Sequence, residues 1–119
     1  MLQEIKIDAP NVVGAKISGK LNKDDINKII NSIKEKLKTQ DKINVYVELE
    51  TFEGISFEGL LDDFKFALPN ITKFKKKAVV SDKQWVENWI NFANKLFPFA
   101  EVKQFSFKEK DKALEWIKN

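Results

Sequence analysis

Hydrophobic and polar positions alternate most regularly in residues 43–50. Ile43, Val45, Val47 and Leu49 fall on one side and Asn44, Tyr46, Glu48 and Glu50 on the other, the period of a β-strand. A parallel strand covered on both faces reads as a near-continuous apolar run. This alternation therefore predicts a sheet with helices mainly on one face and a wetter second face. The period then changes. Phe57, Leu60, Leu61, Phe64 and Leu68 recur at spacings of three and four, the stripe of an amphipathic helix. Ser56 stands at its N-cap position, and Pro69 ends it by restricting the preceding residue. Phe66 lies about half a turn from that stripe at the ~100° per residue of an α-helix.

The same reading applies to the rest of the chain. Residues Glu4–Ile7 predict a short strand, Asp8-Ala9-Pro10-Asn11 a turn, and Val12–Ile17 a second strand hairpin-paired with the first. Asn22 caps a helix whose stripe is Ile26, Ile29, Ile30, Ile33 and Leu37, with Asp24 and Asp25 in the first turn and Lys34, Lys36 and Lys38 near the end, as the helix dipole favours. Lys73–Lys77 leads into a strand at Ala78–Val80. Ser81-Asp82-Lys83-Gln84 fits a capping box ahead of a helix bearing Trp85, Val86, Trp89, Ile90, Phe92, Ala93, Leu96 and Phe97, broken by Pro98. Glu101–Phe105 is the last strand. Ser106-Phe107-Lys108-Glu109 is a second capping box opening a C-terminal helix with Ala113, Leu114, Trp116 and Ile117. The predicted order is β-β-α-β-α-β-α-β-α. Strands alternating with helices imply parallel pairing through right-handed crossovers, with the first strand added antiparallel.

Length and composition narrow the chemistry. At 119 residues the chain is a single domain, 1–119, able to bury roughly two-thirds of its unfolded surface. It has no cysteine and no histidine, which removes disulfides, thiolate metal sites, the commonest general base and every Ser-His or Cys-His arrangement. All 21 basic residues are lysine, and the net charge is +3. The absence of arginine argues against nucleic acid as a partner, because bidentate phosphate and base recognition favours the guanidinium fork. The chain lacks a signal peptide pattern and any apolar run near the ~20 residues of a membrane span, so a cytoplasmic location without a transmembrane segment is expected.

Four groups of residues are candidates for function. The loop after the third strand, with Glu53, Gly54 and Ser56, lies at the carboxyl end of a central strand, where open α/β sheets bind ligands; helix N-termini with Ser81 and Asp82 gather at the same edge. The plain alternative is that these are ordinary helix caps. Glu48, Glu50, Glu53 and Asp82 match no metal-loop spacing, so no metal and no other cofactor is expected. Lys73, Lys75, Lys76 and Lys77 form a basic cluster read as a solvated strand entry. The aromatic load, ten phenylalanines and three tryptophans, is high. Core packing is its default explanation. The second and third predicted helices nevertheless place Phe57, Leu61, Phe64, Trp85, Trp89 and Phe92 where they would line an apolar ligand cleft. Phe66 and Phe97-Pro98-Phe99 are candidates for a partner or homodimer surface.

The chain resembles the SpoIIAA-like proteins, stand-alone relatives of STAS domains. The likeness is carried by Asn11-Val12-Val13-Gly14 with Ser18-Gly19-Lys20, the Glu48–Asp63 segment with its Phe52-Glu53-Gly54 turn, Ala78 to Trp85, Glu101 to Phe105, and Ala113-Leu114-Glu115-Trp116-Ile117. The resemblance implies a β/α superhelix on a mixed, mostly parallel five-stranded sheet with four helices. In anti-sigma-antagonist members an Asp-Ser pair follows the third strand and its serine is phosphorylated. Ser56 is the nearest counterpart, but Ile55 precedes it in place of aspartate. The favoured function is a non-enzymatic binding module for a lipid-like or other apolar small molecule held between the second and third helices; the alternative is a regulatory protein-interaction domain of the anti-sigma-antagonist type using the 50–57 loop. An enzyme working through Glu50, Glu53 or Asp82 alone ranks behind both.

Overall fold

The computed structural model describes residues 2–19, 22–50, 74–81 and 101–118. They form a five-stranded sheet in the sequential order β1 (Leu2–Ile5), β2 (Val12–Ile17), β3 (Ile43–Leu49), β4 (Phe74–Val80) and β5 (Glu101–Phe105). β1 pairs antiparallel with β2, and every later pairing is parallel. Two helices are described, α1 (Lys23–Leu37) and α2 (Lys110–Lys118), the second entered through a 3-10 turn at Phe107–Glu109. The predicted helices around 57–68 and 82–97 lie outside the described residues.

The hairpin turn closes through Ala9 N–H to the Ile7 carbonyl at 2.7 Å and Val12 N–H to the Ala9 carbonyl at 3.2 Å. Gly14 is required where the hairpin folds back. A Cβ built there would stand 2.6 Å from both the Ile5 carbonyl oxygen and the Ile7 Cδ1. α1 begins as its sequence demands: Asn22 Oδ1 accepts from Asp25 N–H at 2.9 Å, and Asp25 Oδ2 accepts from Asn22 N–H at 3.2 Å. Its stripe of Ile26, Ile30 and Ile33 is buried. Ser32 on this helix donates to Glu4, which shares a sheet face with Ala15, so α1 covers the face of Val13, Ala15 and Ile17.

The opposite face corrects the expectation of a wetter side. Parallel register aligns Val12 with Asn44 and Gly14 with Tyr46, and places Ala78 and Val80 on the same face. α2 lies over them, forming a core of Val12, Tyr46, Ala78, Val80, Phe105, Ala113 and Ile117. Asn44, Tyr46 and Glu48, the polar half of the β3 alternation, are 1%, 0% and 5% exposed. They tolerate burial because Asn44 and Glu48 each find a partner. Asn44 Nδ2 donates to the Ile117 carbonyl at 2.6 Å, and its Oδ1 accepts from Lys76 N–H at 3.1 Å. That second bond falls where the β3–β4 register shifts at Ile43/Asn44, so the side chain occupies a rung the irregular ladder leaves open. Glu48 pairs with Lys110.

The strand expected at Ala78–Val80 extends back to Phe74, so the basic segment is part of β4 and not an approach to it. Only Lys75 of its described lysines is solvated. Lys76 is half-buried and Lys77 is 7% exposed, with burial holding its pKa well below the usual lysine range. Lys73 lies outside the described residues.

Candidate functional site

Four parallel strands end together at Ile17, Leu49, Val80 and Phe105, making the carboxyl edge to which sequence reasoning assigned function. The chain leaves β2 through Ser18 and Gly19, whose φ of 65° is a backbone state favoured by glycine. It leaves β3 at Glu50, whose N–H donates to the Ile17 carbonyl at 3.0 Å. β4 and β5 are tied beyond their ends by Ser81 N–H to the Phe105 carbonyl at 2.9 Å and Gln104 Nε2 to the Ser81 carbonyl at 3.2 Å. The end of β3 at Glu50 is therefore fixed to β2 by backbone hydrogen bonding.

Two ion pairs flank that departure. Lys16 Nζ meets Glu50 Oε1 at 3.0 Å, and Lys110 Nζ meets Glu48 Oε1 at 3.0 Å. Both members of the first pair are partly solvated, while Glu48 is almost enclosed beneath a half-exposed Lys110. The hydrogen bond from Lys16 to Glu50, then the charge of Glu50, raises the Lys16 pKa. Two residues before Glu48 on the same face of β3 is the buried Tyr46, the only tyrosine. Its hydroxyl is buried without a hydrogen bond of full geometry among the described residues. Burial first, and then the charge and lone pairs of Glu48 with Asp111 behind, push its pKa far above the ordinary phenol value. Tyr46 and Lys110 escaped sequence reasoning. The 43–50 alternation marked Tyr46 as outward, and nothing near Lys110 in sequence points to Glu48.

The two described helix N-termini at this edge act as ordinary caps. The first turn of α1 carries Asp24 and Asp25 and is closed by the reciprocal Asn22–Asp25 bonds. Glu109 accepts from the Ser106 N–H and hydroxyl, both at 3.2 Å, and the backbone bond chiefly holds its carboxyl below the usual range. Neither terminus offers the open donors and uncompensated positive end that anion binding needs.

Of the residues singled out from sequence, Ser81 is described and is 0% exposed. Glu53, Gly54, Ser56, Phe57, Leu61, Phe64, Phe66, Asp82, Trp85, Trp89 and Phe92 lie outside the described residues, as does Phe97-Pro98-Phe99. Glu48 and Glu50, weighed as cation ligands, each hold a lysine. No helix of the described residues is long and apolar enough to cross a membrane.

These features define an α/β protein with an antiparallel first strand on an otherwise parallel sheet. The profile of the SpoIIAA-like family matches residues 12–118, and the chain belongs to that family. Among solved structures it is similar to an uncharacterised DUF3478-family protein with a SpoIIAA-like fold from Shewanella loihica PV-4. The identity is 23%, the TM-score 0.69, and the match covers 98% of this chain and 92% of the other. It is also similar to the anti-sigma factor antagonist SpoIIAA in its unphosphorylated form, at 16% identity and a TM-score of 0.57 over the full length of both chains. The phosphorylated form of the Bacillus cell fate determinant SpoIIAA matches at 13% identity and a TM-score of 0.56, covering 94% of this chain and 97% of that one. Comparison with curated proteins finds no match.

Proposed function

We propose that the chain is a non-enzymatic regulatory module that works by protein–protein contact at the carboxyl edge, through the 50–57 segment. The carrying observation is how this edge uses its charge. Glu48 and Glu50 are each neutralised by a lysine at 3.0 Å, and the exit of β3 is bonded to β2. A general acid or base needs a carboxylate free to exchange a proton with substrate. These two are occupied as structural anchors, which suits an edge used for contact more than for proton transfer. The solved relatives named as an anti-sigma factor antagonist and as its phosphorylated form support the same direction. In affinity capture from the source cells, Ser56→Glu and Phe66→Ala are each expected to change the set of proteins retained. Two unchanged sets would defeat the proposal.

A second reading, an apolar small molecule held by Phe57, Leu61, Phe64, Trp85, Trp89 and Phe92, draws on the distribution of aromatic residues. Nine of the fourteen fall within 51–73 and 82–100, far beyond the share of chain those segments represent. Lipid extraction and native mass spectrometry of the purified protein test it directly.

A further inference from the structure

On the α2 face of β4 and β5, Trp116 near the close of α2 lies close to two lysines from neighbouring strands. Lys76 Nζ is 5.0 Å from its ring centroid and Lys103 Nζ 5.8 Å. Lys103 also sits 5.5 Å over Phe105, whose ring is 5.9 Å from that of Trp116. Lys76 stands opposite Glu101 in the β4–β5 register, so Lys76 and Lys103 are diagonal neighbours on one face. Glu101 is thus placed to neutralise either lysine. Among the described residues, however, Glu101 forms no ion pair with Lys76 or Lys103. The patch sets two ammonium groups over one indole, and the Glu109 carboxylate also attracts Lys103.

We propose that Lys76, Lys103 and Trp116 form a docking patch for a carboxylate-rich segment of a partner protein. A carboxylate placed between the two ammonium groups satisfies both and relieves their mutual repulsion. The half-buried indole supplies a rigid apolar contact of the kind that anchors interfaces. Lysines act as separate point charges. They suit scattered carboxylates better than a phosphate gripped in bidentate fashion, for which the chain has no arginine. β5 is the outer strand of the sheet, and four of its five residues are exposed or half-exposed, so a partner can approach from the side. The Lys76–Trp116 end of the patch lies at the amino end of the sheet, away from the carboxyl edge, and the inference stands independently of the function proposed above.

The test is titration of isotope-labelled protein with a hexaglutamate peptide, read at the Trp116 indole N–H resonance and assigned with Trp116→Phe. Hexaglutamate is expected to shift that resonance. The K76Q/K103Q variant should weaken binding roughly twofold to thirtyfold, the range for losing two exposed ion pairs, and by more than K28Q/K34Q does. K28Q/K34Q, which removes the same charge from exposed positions on α1, should leave binding within about twofold, because screening removes the effect of distant surface charge. The proposal is overturned by no shift at Trp116, by equal weakening in K28Q/K34Q, or by hexaglutamine or inorganic phosphate at matched concentration acting as strongly as hexaglutamate.

Discussion

Asn44 joins three elements with one side chain, and its replacement should be among the most costly single changes in the described core. It is 1% exposed, donates to the Ile117 carbonyl of α2 at 2.6 Å, and accepts from the Lys76 N–H of β4 at 3.1 Å. Ile117 lies in the last turn of its helix, where carbonyls have no intrahelical donor. Asn44→Ala therefore removes two hydrogen bonds worth about 1 kcal/mol each, and leaves a buried donor and acceptor that each cost about 1–3 kcal/mol if water cannot reach them. With partial relaxation around the gap, the expected loss is about 2–4 kcal/mol in urea unfolding followed by circular dichroism. Asn44→Asp sharpens the test. Its carboxylate keeps the bond from Lys76 but presents lone pairs to the Ile117 carbonyl; the protonated acid restores the donor. The folded-state pKa is then raised above the unfolded value of about 3.9, so the stabilising contribution is full below about pH 4 and is lost as pH rises through the folded pKa. The deficit relative to wild type should widen between about pH 4 and pH 7, by about 1.4 kcal/mol per unit of pKa elevation. An Asn44→Ala cost below about 1 kcal/mol, or an Asn44→Asp deficit that stays flat across that range, would refute the clamp.

Other expectations follow from the same contacts. Gly14→Ala places a Cβ 2.6 Å from a backbone oxygen and should cost about 1–3 kcal/mol in the same assay, with faster amide exchange in β1; neutral behaviour would contradict the close approach. Glu48→Gln should cost about 1–2 kcal/mol, because Glu48 is nearly buried, whereas Glu50→Gln in the partly solvated pair should cost under about 0.5 kcal/mol; equal costs would show that burial does not separate them. Tyr46 has a folded pKa raised above its unfolded value of about 10, so its contribution is full below that pH and declines above it. Unfolding measured at about pH 11 should show about 1.4 kcal/mol less stability from this group, and tyrosinate absorbance should appear only on unfolding. Tyrosinate in the folded protein at that pH would exclude a buried hydroxyl.

Local signals carried the elements, and they carried them well. β2 and β5 begin and end where alternation placed them, β3 stops one residue short at Leu49, β1 runs Leu2–Ile5 where Glu4–Ile7 was expected, and α1 starts after the Asn22 cap its sequence announces. What the pattern misjudged was long-range. Asn44, Tyr46 and Glu48 read as a solvated face because polarity along one strand is silent on what a helix seventy residues later will supply. Ile117 and Lys110 provide the bonding partners that make burial tolerable for Asn44 and Glu48. Lys76 and Lys77 misled in the same way: a run of lysines reads as solvent-facing, yet parallel pairing with β3 draws Lys77 into the interior and sets Lys76 against Trp116. At the candidate site, the position of the carboxyl edge was legible from the element order. The pairing of its carboxylates with Lys16 and Lys110 was not, since both partners come from other elements.

The central functional claim, contact with a protein partner at the carboxyl edge in preference to storage of an apolar ligand, is tested most directly by native mass spectrometry. The protein would be purified without detergent and its mass compared before and after denaturation. The account predicts a native mass equal to the denatured chain mass or to a whole multiple of it, with nothing else bound. A non-covalent adduct of a few hundred daltons, present in the native spectrum and lost on denaturation, would contradict it and give the mass of the apolar ligand.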